Sequence, residues 1–90
     1  MSGETVASGR PRKADELEMH AVGNQIAVYD TAADRLHYLN PTAALILELC
    51  DGEHSGAEIA GLVQEAYGLA EKPSIDQFLS ELQQMGLVQF

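Results

Sequence analysis

The chain of 90 residues has little cysteine and no long apolar run. Its single cysteine excludes an internal disulfide, which argues against a small disulfide-rich secreted protein and fits a reducing cytoplasm. No stretch approaches the roughly 18–20 apolar residues that cross a bilayer. The N-terminus also lacks the apolar segment of a secretory signal. The length allows one domain at most. We therefore expect a single domain and, from the single cysteine, a cytoplasmic one.

Basic residues are scarce as well. Five Lys and Arg stand against fourteen Asp and Glu, which gives a net charge of −9. Residues 1–13 carry a net charge of +2 and the other 77 residues carry −11. An acidic body of this kind repels phosphate backbones and anionic lipid headgroups. We therefore expect neither nucleic acid nor membrane as a partner, and instead a cationic or amphipathic one.

Residues with catalytic or metal-binding chemistry are few and isolated. The three histidines (His20, His37 and His54) and Cys50 lack the paired spacing of zinc ligands. An apolar and acidic neighbourhood makes Cys50 a core residue rather than a nucleophile. The chain also has no glycine-rich phosphate loop and no nucleophile motif. The sequence thus predicts no catalytic residue, no metal site and no cofactor, and a protein that is not an enzyme.

The first half of the body has the pattern of a small antiparallel sheet. Residues 1–14 are small and polar and predict a flexible tail. Three strands are then predicted over residues 17–22, 25–30 and 35–39, because alternating or β-branched apolar residues recur there. Gly23-Asn24 predicts a two-residue hairpin turn between the first two strands.

The second half has the 3.6-residue period of helices. Asn40-Pro41 predicts the start of a first helix, and a capping box of Ser55 and Glu58 predicts a second. Pro73-Ser74 predicts a third, with a further capping box of Ser74 and Gln77. The residues predicted to face inward are Leu45, Ile46, Leu49, Cys50, Ile59, Leu62, Val63, Ala66, Tyr67, Ile75, Phe78, Leu79, Leu82 and Met85. The class is α+β, with the helices on one face of the sheet.

The third predicted strand, at the edge of this sheet, is poorly protected. Unpaired N–H and C=O groups of an edge strand are usually shielded by Lys, Pro or bulges, and this strand has only Arg35. An open edge beside an amphipathic helix is suited to the addition of a peptide strand. The alternative is an edge that the tail or a second subunit covers.

Several short motifs recur here in a characteristic order. They are Leu39-Asn40-Pro41-Thr42-Ala43-Ala44, Ile46-Leu47, Leu49-Cys50-Asp51-Gly52, Ala57-Glu58-Ile59-Ala60, Tyr67-Gly68, Phe78-Leu79 and Gly86-Leu87-Val88. This set resembles the PqqD family, named for pyrroloquinoline quinone synthesis protein D, over about residues 16–90. The resemblance implies a winged-helix-like peptide-binding domain over residues 15–90, the RiPP recognition element, where RiPP denotes a ribosomally synthesised and post-translationally modified peptide.

The resemblance also implies a function and a site. Members bind the leader segment of a precursor peptide and present it to a modifying enzyme, commonly a radical SAM protein. The leader is implied to add as a strand beside the third strand, where backbone groups of Leu36, His37 and Tyr38 would bind it. On the third helix, Phe78 and Leu82 would line an apolar pocket, and Glu81 would pair with a basic leader residue. The implied site residues are Arg35, Leu36, His37, Tyr38, Leu39, Phe78, Glu81 and Leu82.

One segment departs from the quinone-pathway members. They commonly have an apolar-Ala-Pro-Glu run between the second and third strands, where this chain has Val28-Tyr29-Asp30-Thr31-Ala32-Ala33-Asp34. The difference favours a PqqD-like protein that serves another peptide. Two other classes stay open: a structural or dimerising subunit, and a DNA-binding winged helix. A third helix with Asp76 and Glu81 but no Lys or Arg disfavours DNA.

Overall fold

The computed structural model describes residues 10–90, which form two small antiparallel sheets and three helices. The elements in chain order are β1 (Arg12–Lys13), β2 (Leu17–Val22), β3 (Gln25–Asp30), β4 (Arg35–Leu39), α1 (Pro41–Leu49), α2 (Gly56–Tyr67), α3 (Asp76–Gln84) and β5 (Val88–Gln89). The predicted α+β class, a three-stranded antiparallel sheet followed by three helices, is confirmed. No helix within residues 10–90 is long and apolar enough to span a membrane.

The main sheet has the strand order β2-β3-β4, so β3 is central and the other two strands are its edges. Gly23 adopts a φ of +62°, as the predicted two-residue turn between β2 and β3 requires. The turn between β3 and β4 is closed by Asp30, whose carboxylate accepts a hydrogen bond from the Ala33 N–H at 3.1 Å. Local turn residues therefore determine both hairpins.

A second sheet joins the two ends of the described chain. In it β1 pairs antiparallel with β5, with Arg12 opposite Gln89 and Lys13 opposite Val88. The sequence predicts that Arg12 and Lys13 belong to a flexible tail over residues 1–14. Residues 1–9 lie outside the described residues, whereas Arg12 and Lys13 are held by pairing. A strand of two residues is too short to show an alternating pattern, so the sequence does not predict it.

The first two helices begin as the sequence predicts. The Asn40 side chain accepts a hydrogen bond from the Ala43 N–H at 2.7 Å and caps α1. At α2 the Ser55 hydroxyl accepts from the Glu58 N–H at 3.2 Å, and the Glu58 carboxylate accepts from the Ser55 N–H at 2.8 Å. This backbone hydrogen bond is the main cause that lowers the pKa of Glu58. Gly68 ends α2 in the left-handed conformation.

The predicted start of α3 is wrong. The helix begins at Asp76, its N-cap position is Ile75, and no side chain caps it. Ile75 is buried in the core, so packing of this apolar residue positions the first turn. Ser74 and Gln77 thus form no capping box, and both side chains lie at the surface.

The core lies between the helices and the inner face of the main sheet, which we define as the face toward the helices. Leu47 and Ala60 are buried although the predicted stripes omit them, whereas Ala66 and Tyr67 are exposed. The periodicity of apolar residues in a helix does not show how far the neighbouring layer extends over that helix. The buried cluster comprises Val28, Leu39, Ala43, Ala44, Ile46, Leu47, Cys50, Ile59, Ala60, Val63, Ile75, Leu79, Leu82, Leu87 and Val88.

Candidate functional site

The outward edge of β4 has no strand partner among residues 10–90. Because a two-residue turn joins β2 to β3, Val22 and Gln25 form a hydrogen-bonded pair, and such pairs then alternate across the sheet. The alternation makes Val28–His37 a hydrogen-bonded pair of β3 and β4. The N–H and C=O groups of Leu36 and Tyr38 consequently point away from the sheet. The implied role of the His37 backbone is corrected, since its groups are turned toward β3.

The side chains of β4 alternate between the two faces of the sheet. Leu36 and Tyr38 are 55% and 54% exposed and lie on the outer face, the side of the sheet opposite the inner face. His37 and Leu39 point to the inner face, and Leu39 is fully part of the core. Arg35 is exposed at the start of the strand. The edge therefore presents two apolar side chains beside two unpaired backbone units.

His37 lies where this edge meets the core. Its side-chain atom Nε2 is buried and has no hydrogen-bond partner in the described part of the chain. A buried polar atom without a partner destabilises a protein by about 1–3 kcal/mol. The imidazole is therefore an unsatisfied group next to the candidate edge.

The flank of α3 forms a separate part of the predicted site. Phe78 is half-buried and Glu81 is exposed, and both line a surface cavity of about 270 Å³ together with Ser74 and Gln77. The Gln77 amide donates a hydrogen bond to the Glu81 carboxylate at 3.3 Å. Ser74 and Gln77 are not among the predicted site residues, although their spacing from Phe78 and Glu81 places all four on one flank.

Leu82 does not line this cavity. It is 1% exposed and packs within the core beside Leu79. Leu79, Leu82 and Phe78 all belong to one apolar helix stripe, and the central positions of such a stripe are the deepest. The predicted role of Leu82 is therefore corrected to a core residue that supports Phe78.

The structure does not bring the two parts of the predicted site into one cavity. The cavity on the α3 flank has no lining residue from β4. The two elements are linked through the core, where α1 packs against both β4 and α3. A ligand that touches both parts must therefore extend beyond this cavity.

Cys50 and His54 lie in different environments, the first in the core and the second near the surface. No group of three His, Cys, Asp or Glu side chains in residues 10–90 could hold a metal ion. Cys50 is fully buried, and desolvation raises the pKa of its thiol to about 12. Its thiol lies 3.1 Å from the Ile46 C=O. His54 Nδ1 lies 3.0 Å from the Asp51 carboxylate at the surface.

The described residues thus form a small α+β domain in which the outward edge of β4 has no strand partner. The chain belongs to the PqqD family, described as coenzyme PQQ synthesis protein D, whose family model matches residues 25–88. This family is the RiPP recognition element family. The matched segment includes β3, β4 and all three helices. Comparisons with curated proteins and with solved structures found no match.

Proposed function

We propose that this protein is a non-catalytic module of the cytoplasm that binds the leader of a ribosomally made precursor peptide. The leader adds as a strand to the edge of β4 and is presented to a modifying enzyme, in the first instance a radical SAM protein. The observation that carries this proposal is the edge of β4, with the unpaired backbone groups of Leu36 and Tyr38 directed outward. Membership of the PqqD family supports the same partner class.

The edge determines which leader side chains lie where. Leader residues that hydrogen-bond to Leu36 and Tyr38 place their own side chains on the outer face, next to these exposed apolar groups. We therefore expect apolar leader residues at these alternate positions. The intervening residues point to the inner face of the sheet, where His37 lies.

The charge of the protein favours a basic leader. The chain has a net charge of −9, and the α3 flank adds the exposed carboxylates of Asp76 and Glu81 without any basic residue. Opposite charge raises the rate of association at low ionic strength. A basic leader residue directed toward α3 could pair with Glu81.

The test is a titration of the 15N-labelled protein with a synthetic candidate leader peptide taken from a neighbouring precursor gene, followed by amide chemical shifts. We expect the shifts to concentrate at residues 35–39 and along the α3 flank. A Leu36→Pro variant removes one outward N–H and leaves the hydrogen bonds to β3 in place. It should weaken leader binding at least about tenfold.

Ala21→Pro is the matched control, because Ala21 is also an exposed edge residue, on the opposite edge of the sheet. Its N–H points outward by the same alternation. It should leave leader affinity within about twofold of the parent. Equal losses in both variants, or shifts that avoid β4, would contradict strand addition at this edge.

A further inference from the structure

The sheet has a second open edge, on β2. In residues 10–90 this strand pairs only with β3. The two-residue turn directs the backbone groups of Glu18, His20 and Val22 toward β3. The N–H and C=O groups of Leu17, Met19 and Ala21 are therefore unpaired and point outward. This edge does not form part of the proposed leader site.

A mainly apolar cavity lies between this edge and α1. Its volume is about 330 Å³. Met19, Ile26 and Leu45 around it are only half-buried although they pack on the core. The lining residues are Met19, His20, Ala21, Ile26, Pro41, Ala44, Leu45 and Glu48.

We propose that two copies of this chain associate through antiparallel pairing of their β2 strands, with Met19 opposite Met19 at the two-fold axis. In this register Leu17 of each copy lies opposite Ala21 of the other, and Glu18 lies opposite His20. The outward backbone groups of Leu17, Met19 and Ala21 then form the inter-copy hydrogen bonds. Inner and outer faces stay continuous across the pair, because opposite residues have the same parity.

Charge complementarity selects this register. Glu18 and His20 have 62% and 69% exposed side chains on the outer face, 3.9 Å apart within one strand. If the pairing is centred on Glu18 instead of Met19, the two Glu18 residues lie opposite each other. If it is centred on His20, the two His20 residues do. Like groups directly opposite destabilise a strand pair, whereas a carboxylate opposite an imidazole N–H stabilises it. Only pairing about Met19 gives two such Glu18–His20 contacts.

The cavity fits the same arrangement. Ala21 has a small side chain and lines the cavity, and the proposed register sets the larger Leu17 of the second copy beside it. An apolar side chain at the mouth of this cavity would cover Met19 and Leu45. Shape and charge at the β2 edge thus favour one occupant, a second copy of the chain.

The resulting dimer has a six-stranded sheet with the two β4 strands at its far ends. Both β4 edges stay open, so each dimer can bind two leaders. The pairing of two short strands buries a small area, and contacts below roughly 1,200 Å² are transient. Two chains of net charge −9 also repel each other. We expect a dissociation constant on the order of 100 µM that falls as salt screens this repulsion.

The first test is sedimentation velocity of the full chain over a wide concentration range. His20→Glu creates two Glu–Glu contacts and should raise the dissociation constant about tenfold. The double variant Glu18→Lys/His20→Glu restores opposite charges across the axis, so it should dimerise again. Monomer behaviour of the parent at millimolar concentration, or failure of the double variant to recover, would overturn the proposal.

The second test identifies the register. Met19→Cys places two thiols opposite each other at about 5.5 Å between Cα atoms, within the range that a disulfide spans. It should form a covalent dimer on mild oxidation, whereas Ala21→Cys should not. Native Cys50 is fully buried and should not form a disulfide under these conditions. Equal cross-linking of both variants would contradict pairing about Met19.

Dimer formation and leader binding can fail separately. Ala21→Pro should abolish the dimer and keep leader binding, whereas Leu36→Pro should do the reverse. Loss of one property without the other in each variant distinguishes a failure of this proposal from a failure of the proposed function.

Discussion

His37 is the side chain whose surroundings fit its chemistry least well. Its Nε2 is buried without a hydrogen-bond partner in the described residues, while its backbone pairs with Val28. An apolar side chain of similar size needs no partner. We expect His37→Leu to raise the free energy of unfolding by about 1 kcal/mol in urea denaturation.

His20→Leu is the control for this substitution, because His20 is exposed on the outer face. At dilute concentration it should change the free energy of unfolding by less than about 0.5 kcal/mol. Destabilisation by His37→Leu would show that Nε2 contributes to stability after all.

Cys50 makes a prediction about alkaline stability. Burial raises the pKa of its thiol to about 12, from 9.0 in the unfolded chain. The folded state therefore retains a proton that the unfolded state loses, and stability falls as pH rises through the window from 9 to 12. Cys50→Ala lacks this thiol. The amount by which its free energy of unfolding falls below that of the parent should therefore shrink as pH rises.

The measurement is urea denaturation of the parent and Cys50→Ala at pH 8 and pH 10.5. The deficit of Cys50→Ala in the free energy of unfolding should fall by about 2 kcal/mol between these two pH values. Tyr29, whose pKa is raised by its hydrogen bond to Asp34, is present in both proteins and cancels. A deficit that is constant with pH would mean that the Cys50 thiol titrates normally.

Two helices begin with similar polar residues, and only one of them is capped. Ser55 and Glu58 form reciprocal hydrogen bonds at the start of α2, whereas no side chain caps α3. Ser55→Ala should therefore lower the free energy of unfolding by about 1 kcal/mol. Ser74→Ala, a matched substitution ahead of α3, should leave it within about 0.5 kcal/mol. Thermal or urea unfolding decides the matter, and equal losses would place a cap at Ser74.

The contrast between these helices shows what a sequence can predict about elements. Gly23-Asn24, Asn40-Pro41 and Ser55 act through neighbours a few residues away, so their turns and caps were predicted correctly. The start of α3 depends on the burial of Ile75 by the rest of the fold. The β1–β5 sheet depends on pairing between the two ends of the described chain. Tertiary contacts of this kind leave no local pattern.

The candidate site divides in the same way. The order of strands and helices was enough to predict an open edge on the third strand of the main sheet. Which backbone groups point outward follows from register, and this selects Leu36 and Tyr38 over His37. The depth of each position in the α3 stripe separates Phe78 from Leu82. A period identifies the stripe but not its depth.

As a whole, the molecule combines an acidic surface with one candidate local contact for a basic leader. The net charge of −9 attracts any cation, whereas Glu81 lines the cavity on the α3 flank. Long-range attraction weakens when salt shortens the Debye length, and it depends little on which carboxylate is changed. A specific contact depends on position.

Charge-matched substitutions separate the two effects. Glu81→Lys and Glu65→Lys alter the net charge equally, and both residues are exposed, but Glu65 lies on α2 and lines a different surface cavity. At 150 mM salt we expect Glu81→Lys to weaken binding of a basic leader about fivefold to tenfold, and Glu65→Lys less than about twofold. Isothermal titration calorimetry at 50 and 500 mM salt measures both the long-range attraction and the local contact at Glu81. If the two variants lose affinity equally at every salt concentration, the leader responds only to the overall field, and the inward leader residues do not reach Glu81.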